Sequence, residues 1–101
     1  MSTPQPVVCI YRVAPENDQK FQELLRQHAP TLDAVGLKSS EPSRCFKGKN
    51  QMGEIAYVEM FSWKDPEAAD VAHQTPEIMQ IWEPMGDLTT SMEFIDIAPL
   101  E

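Results

Sequence analysis

Positive charge is scarce in this chain. Eight Lys and Arg stand against sixteen Asp and Glu, a formal net charge of -8 over 101 residues. Such a balance repels phosphate backbones and anionic membrane surfaces, so neither nucleic acid nor a lipid surface is an expected partner. Cysteine is almost absent. Cys9 and Cys45 lie far apart and form neither a CxxC nor a zinc pattern, which excludes a disulfide scaffold. Glycine is limited to four positions, and no glycine-rich loop suited to a nucleotide phosphate occurs. No pair of His, Cys, Asp or Glu shows metal-ligand spacing. The expectation is therefore no metal, haem, flavin or other cofactor. No apolar run reaches membrane-spanning length, and the opening MSTPQP lacks the basic start and apolar stretch of a secretion leader. A cytoplasmic protein with reduced thiols is expected.

What is present is enough for one core. Hydrophobic residues make up 42% of the chain, and its length suits a single domain over 1–101, with residues 1–5 a short polar arm. Val7 to Val13 is short and rich in β-branched and aromatic residues, hence a strand. It is apolar on both faces as far as Ile10, as a central strand would be. Asn17 is placed to cap a helix in which Phe21, Leu24, Leu25, His28, Leu32 and Val35 recur at helical spacing. Pro30 should kink or divide that helix, and Gly36 should stop it. Glu41 to Lys49 reads as a weaker strand, 48–53 as a hairpin loop, and Ile55 to Trp63 as the clearest strand. On that strand Tyr57, Glu59, Phe61 and Trp63 share one face.

Asp65-Pro66-Glu67 is a helix start, and the helix should run to about His73. Thr75-Pro76-Glu77 repeats the signal and opens a further helix, with Ile78, Ile81, Trp82 and Met85 as its apolar stripe and Pro84 as its limit. Met92 to Ala98 is the last strand. The order is β-α-β-β-α-β with the second helix broken in two: an α+β, ferredoxin-like fold with a four-stranded antiparallel sheet and its helices on one face. The strands keep apolar residues on the other face too. That face needs cover, and a second copy of the chain packing sheet to sheet would supply it.

Several segments carry a family resemblance. They are Glu59-Met60-Phe61-Ser62-Trp63-Lys64-Asp65-Pro66-Glu67-Ala68, Ala72-His73 before Pro76-Glu77, and Ile78-Met79-Gln80-Ile81-Trp82-Glu83-Pro84-Met85. In these and in its element order the chain resembles the dimeric α/β-barrel superfamily, in particular its antibiotic biosynthesis monooxygenase-like branch. The resemblance implies a homodimer whose paired sheets form a barrel-like core, and a pocket between sheet and helices in each subunit. It also implies kinship with cofactor-free monooxygenases and with many proteins of unassigned activity.

His73 is the candidate catalytic residue. At the end of a short helix beside the expected pocket, its imidazole can serve as base or hydrogen-bond donor near neutral pH. The competing reading is a cap on the helix C-terminus. Trp82, Phe61, Tyr57 and Met85 are candidate ligand-binding residues, and plain core packing is the alternative. His28, on the apolar stripe, reads as a satisfied core histidine. Glu59 on a buried face needs a partner, for which Arg12 on the adjacent strand is available. Lys38, Arg44, Lys47 and Lys49 suit a solvated edge strand. Two functions follow. One is a cofactor-independent, monooxygenase-like enzyme acting on a small aromatic or otherwise apolar compound. The other is a non-catalytic dimeric module that binds a small ligand or serves a stress or biosynthetic role.

Overall fold

A computed structural model describes residues 3–100. The elements are β1 (Gln5–Val13), a single 3-10 turn (Pro15–Asn17), α1 (Asp18–Ala34), β2 (Arg44–Lys49), β3 (Ile55–Trp63), α2 (Ala68–Ala72), α3 (Pro76–Leu88) and β4 (Thr89–Asp96). The four strands form one antiparallel sheet in the order β2-β3-β1-β4. The α+β, ferredoxin-like arrangement with a divided second helix is as the sequence predicts. Cys9 and Cys45 sit on non-neighbouring strands and are unbridged.

Alternation along the strands sets the two faces. Val7, Cys9, Tyr11 and Val13 of β1 and Tyr57, Glu59, Phe61 and Trp63 of β3 are buried under the helices. Register lines up Cys45, Glu59, Cys9 and Phe94 in one row across the sheet, beside a second row of Lys47, Tyr57, Tyr11 and Met92. Helix α1 lays Phe21, Leu25, His28, Ala29 and Leu32 on these rows. Phe21 wedges between Tyr11 and Tyr57, with ring centroids 5.1 and 5.2 Å away.

Several local expectations need correction. Pro30 neither divides nor ends α1, and Pro84 lies inside α3. Pro30 is exposed and Pro84 half-exposed, and the carbonyl-bearing residues four before them, Arg26 and Gln80, are both exposed. Water can take the acceptor that each proline leaves unpaired, and the buried stripes hold the helices together across the gap. Asn17 does not cap α1. Its amide donates to the Leu88 carbonyl at 3.3 Å, tying the start of α1 to the end of α3. Gly36 does stop α1, in a left-handed conformation at φ 77°. The Leu37 and Gly36 N–H groups return to Leu32 and Asp33, a Schellman closure with buried Leu37 as its apolar contact.

Strand β2 begins at Arg44 rather than Glu41. Pro42 cannot donate to a ladder, and Glu41 accepts instead from the Ser62 hydroxyl. The strand is exposed throughout, as a lysine-bearing edge should be. The arm proposed for residues 1–5 shrinks, because Gln5 is already in β1 and its amide reaches the Ile97 carbonyl. Residues 1–2 lie outside the described chain. Strand β4 starts three residues early, directly after α3.

Candidate functional site

The division of the second helix shapes the site. Helix α2 is a single turn and a half, ending at Ala72. His73 and Gln74 turn the chain, and Thr75 leads into α3 with its hydroxyl bonded back to the Val71 carbonyl at 2.8 Å. Two short rods meeting at an angle cannot cover a sheet as a straight helix does. Between them and the β1/β3/β4 surface lies a cleft of about 400 Å³. Its walls are Val7, Phe61 and Trp63 from the sheet, Met92, Phe94 and Asp96 from β4, and Ala69, His73, Met79, Trp82, Glu83 and Gly86 from the helical side. His28 forms its floor.

Trp82 sits between two imidazoles. The His73 ring meets it edge-on at 4.9 Å, and the His28 ring lies 6.1 Å away. Trp63 stands perpendicular to it at 6.4 Å. His73 is exposed at the rim, whereas His28 is fully buried.

Behind Trp82 runs a polar chain through an otherwise apolar core. The Trp82 indole N–H donates to His28 Nε2 at 2.8 Å. An indole nitrogen can only donate, so Nε2 must accept and the proton of the neutral ring sits on Nδ1. Nδ1 in turn faces both oxygens of Glu59, at 2.8 and 2.9 Å. The Tyr11 hydroxyl donates to Glu59 Oε1 at 2.7 Å, and the Cys45 thiol approaches Oε2 at 4.0 Å. Among the described residues no buried side-chain N or O is left unpaired. Burial and then the Glu59 charge push the Tyr11 phenol far above its ordinary range. The same causes raise the Cys9 thiol to about 12 and Cys45 to about 11. Both thiols are therefore poor nucleophiles near neutral pH.

Sequence reasoning and structure can be matched residue by residue. His73, Trp82 and Phe61 come together in the cleft. Met85 is buried beneath α3 and does not line it. Tyr57 is also core; its hydroxyl donates to Asp18 Oδ1 at 2.5 Å, on the far side of the sheet surface from the cleft. Glu59 does not pair with Arg12. Arg12 has the opposite parity on β1 and pairs with Ala56 and Ser91, so its side chain leaves on the other face. Tyr11 has the parity that Arg12 lacks, and the register of β1 against β3 brings its hydroxyl to Glu59 instead. Cys45 is exposed on the edge strand. The residues that sequence reasoning undervalued are His28, as a floor of the cleft, and Val7, Met92 and Phe94. The last three come from strands whose register only the folded sheet reveals, and His28 comes from α1.

Comparison with known proteins follows from this geometry. Among solved structures, SnoaB from Streptomyces nogalater, a cofactor-independent oxygenase, superposes with a TM-score of 0.75 at 13% identity, over 97% of this chain and 94% of that one. A candidate antibiotic biosynthesis monooxygenase from Nitrosomonas europaea gives a TM-score of 0.74 at 11% identity, over 99% and 93%. The chain has the antibiotic biosynthesis monooxygenase-like fold. A protein from Pseudomonas aeruginosa is similar to it at a TM-score of 0.74 and 16% identity, over 100% and 98%. No protein-family profile and no curated protein sequence matches the chain. The likeness is thus one of fold at low identity, which leaves activity to be argued from the site. No helix among the described residues is long and apolar enough to cross a membrane.

Proposed function

We propose that this protein binds a small, planar aromatic compound in the cleft between sheet and helices and acts on it as a cofactor-independent oxygenase. The observation that carries the reading is the cleft itself. It is large enough for two or three fused rings, apolar on its walls, edged by Trp63, Trp82, Phe61 and Phe94, and open to one rim imidazole, His73. In a cofactor-independent oxygenation the substrate itself must supply the electrons. A base removes a proton from an activated C–H or O–H, and the anion reduces dioxygen. One oxygen atom stays on the ring carbon and the other leaves as water with the two hydrogens removed. SnoaB, which shares the fold, is a cofactor-independent oxygenase. An imidazole titrates in the range this proton removal needs.

A homodimer is part of the proposal. The sheet face away from the helices carries half-buried Val8, Ile10 and Val58 beside exposed Phe46, Met60 and Ile95. A second sheet packed there would bury on the order of 1,500 Å² and close a barrel-like core. The cleft lies on the opposite face and stays open. Light scattering at micromolar concentration should give twice the chain mass, and a monomer mass would refute this part.

The test of function is a panel of fused-ring phenols and ketones. Thermal shift reports binding and an oxygen electrode reports turnover. The expected result is a compound that raises the melting temperature and consumes oxygen. His73→Ala should lower turnover with little loss of stability, because an exposed histidine carries little core volume. Binding without oxygen uptake would favour the non-catalytic module.

A further inference from the structure

The polar chain behind Trp82 has more in it than packing requires. A buried imidazole needs one acceptor and one donor. Here the acceptor is a carboxylate held by a second donor, Tyr11, and the donor is an aromatic side chain that itself lines the cleft. His28 is a cleft-floor residue although its own surface is covered. What covers the face towards the cleft is Trp82, which is only half-buried.

We propose that His28 is a masked base for the ligand: an acidic O–H on the bound aromatic displaces the Trp82 indole N–H and docks on His28 Nε2. This rests on the aromatic-cleft reading and deepens it by naming the ligand group and the residue that takes it. The exchange balances in hydrogen bonds. Nε2 gives up one donor and gains another, and the freed indole N–H points into the cleft, where it can donate to the same ligand oxygen. The ligand proton then moves to Nε2. The resulting imidazolium keeps Nδ1–H on the Glu59 carboxylate, so positive charge appears beside a counter-charge already in place. Glu59 and Tyr11 are positioning residues in this scheme; of the three linked side chains, His28 is the one that meets the ligand. The other ionisable groups facing the cleft are His73, Glu83 and Asp96, from the helical rim and β4. His73 is exposed at the rim, whereas Glu59 is fully buried. The selectivity that follows is for hydroxylated over O-methylated aromatics of equal shape.

The probes are 4-nitrophenol and its methyl ether, 4-nitroanisole, titrated by equilibrium dialysis and difference absorbance into the whole protein. The parent should prefer the phenol on the order of tenfold, the worth of one charge-assisted hydrogen bond. The yellow phenolate band should grow on binding at a pH where the free phenol is protonated. Trp82→Phe removes the competing N–H and keeps an aromatic wall, so the preference should widen. His28→Asn should erase the preference and the band. Glu59→Gln should keep the phenol bound but lose the band. Equal binding of the two probes by the parent and by Trp82→Phe would overturn the masked base and leave the aromatic cleft standing. This comparison holds even if His28→Asn fails to fold. No binding of either probe to any variant would overturn both readings.

Discussion

The same sheet face is covered in two ways. Under α1 it is sealed: one uninterrupted helix of 17 residues drives Phe21 between Tyr11 and Tyr57, and among the described residues no buried side-chain N or O lacks a partner. Under α2 and α3 it gapes, because the covering element is divided at His73–Thr75 and leaves a cleft of about 400 Å³. Both regions are built from aromatic and aliphatic side chains at helical spacing. What separates them is continuity of the covering rod. Glu59 and His28 stand on the boundary, sealed on one side and facing the cleft through Trp82 on the other.

The largest effect should come from breaking that boundary. Glu59→Ala strands the His28 Nδ1–H and the Tyr11 hydroxyl in the core. It should cost about 3–5 kcal/mol, the loss seen when one member of a buried charged network is removed. Urea denaturation would show it. A loss below about 1 kcal/mol would mean that water reaches the site and that the sealed side is not sealed.

The open side should respond to filling rather than to deletion. Gly86 lies inside α3 at the cleft wall, and a Cβ placed there would meet only the Met92 methyl, at 3.9 Å. Gly86→Ala should therefore stabilise by about 0.5–1 kcal/mol through helix propensity and lost unfolded-chain freedom. It should also weaken aromatic binding by narrowing the cleft. Thermal unfolding and titration of one ligand together check it.

The smallest effect lies at the outer edge of the sealed side. Asp18 accepts from Lys47 at 2.6 Å and from Tyr57, and these bonds, Lys47 first, hold its carboxyl below its ordinary 3.8. A carboxyl depressed in the folded state stabilises fully above its unfolded value and stops doing so as pH falls through the folded one. Asp18→Asn should thus cost up to about 1 kcal/mol at neutral pH, screened because Lys47 is exposed. The difference from the parent should vanish under strongly acidic conditions. A gap that persists at pH 2 would show that shape rather than charge matters there.

Much of this contrast was legible in the chain. Pro66 and Pro76, each behind a polar residue and before an acid, announced two helix starts too close together for one rod. The alternation of Ile55 to Trp63 placed Glu59 on the buried face. Gly36 marked the end of α1 because only it tolerates the left-handed turn. The prolines at 30 and 84 misled, since a local rule about a missing N–H does not record whether that position faces water. The His28–Glu59–Tyr11 association was out of reach for another reason. It joins residues 31 and 48 positions apart, and depends on the register of β1 against β3 and on the rotation of α1 about its axis. Neither is written in any local pattern. Of the cleft, the rim could be foreseen from His73 and Trp82, while the β4 wall required knowing that Phe94 stands opposite Cys9.

Helix α3 passes into β4 with no residue between Leu88 and Thr89, and the Leu88 carbonyl is held by Asn17. The ceiling of the cleft and one of its walls are therefore a single jointless piece, hinged nowhere and pinned at its corner. Swinging α3 outward would drag β4 along its ladder with β1 and break backbone bonds. For the guest proposed above, admission would fall to the short leg at the other end, where α2 contributes one turn and a half and the bend at His73–Thr75 is held mainly by backbone bonds of its own turn. The molecule is built like a box whose lid is fixed along the back edge and whose small front flap is that short leg.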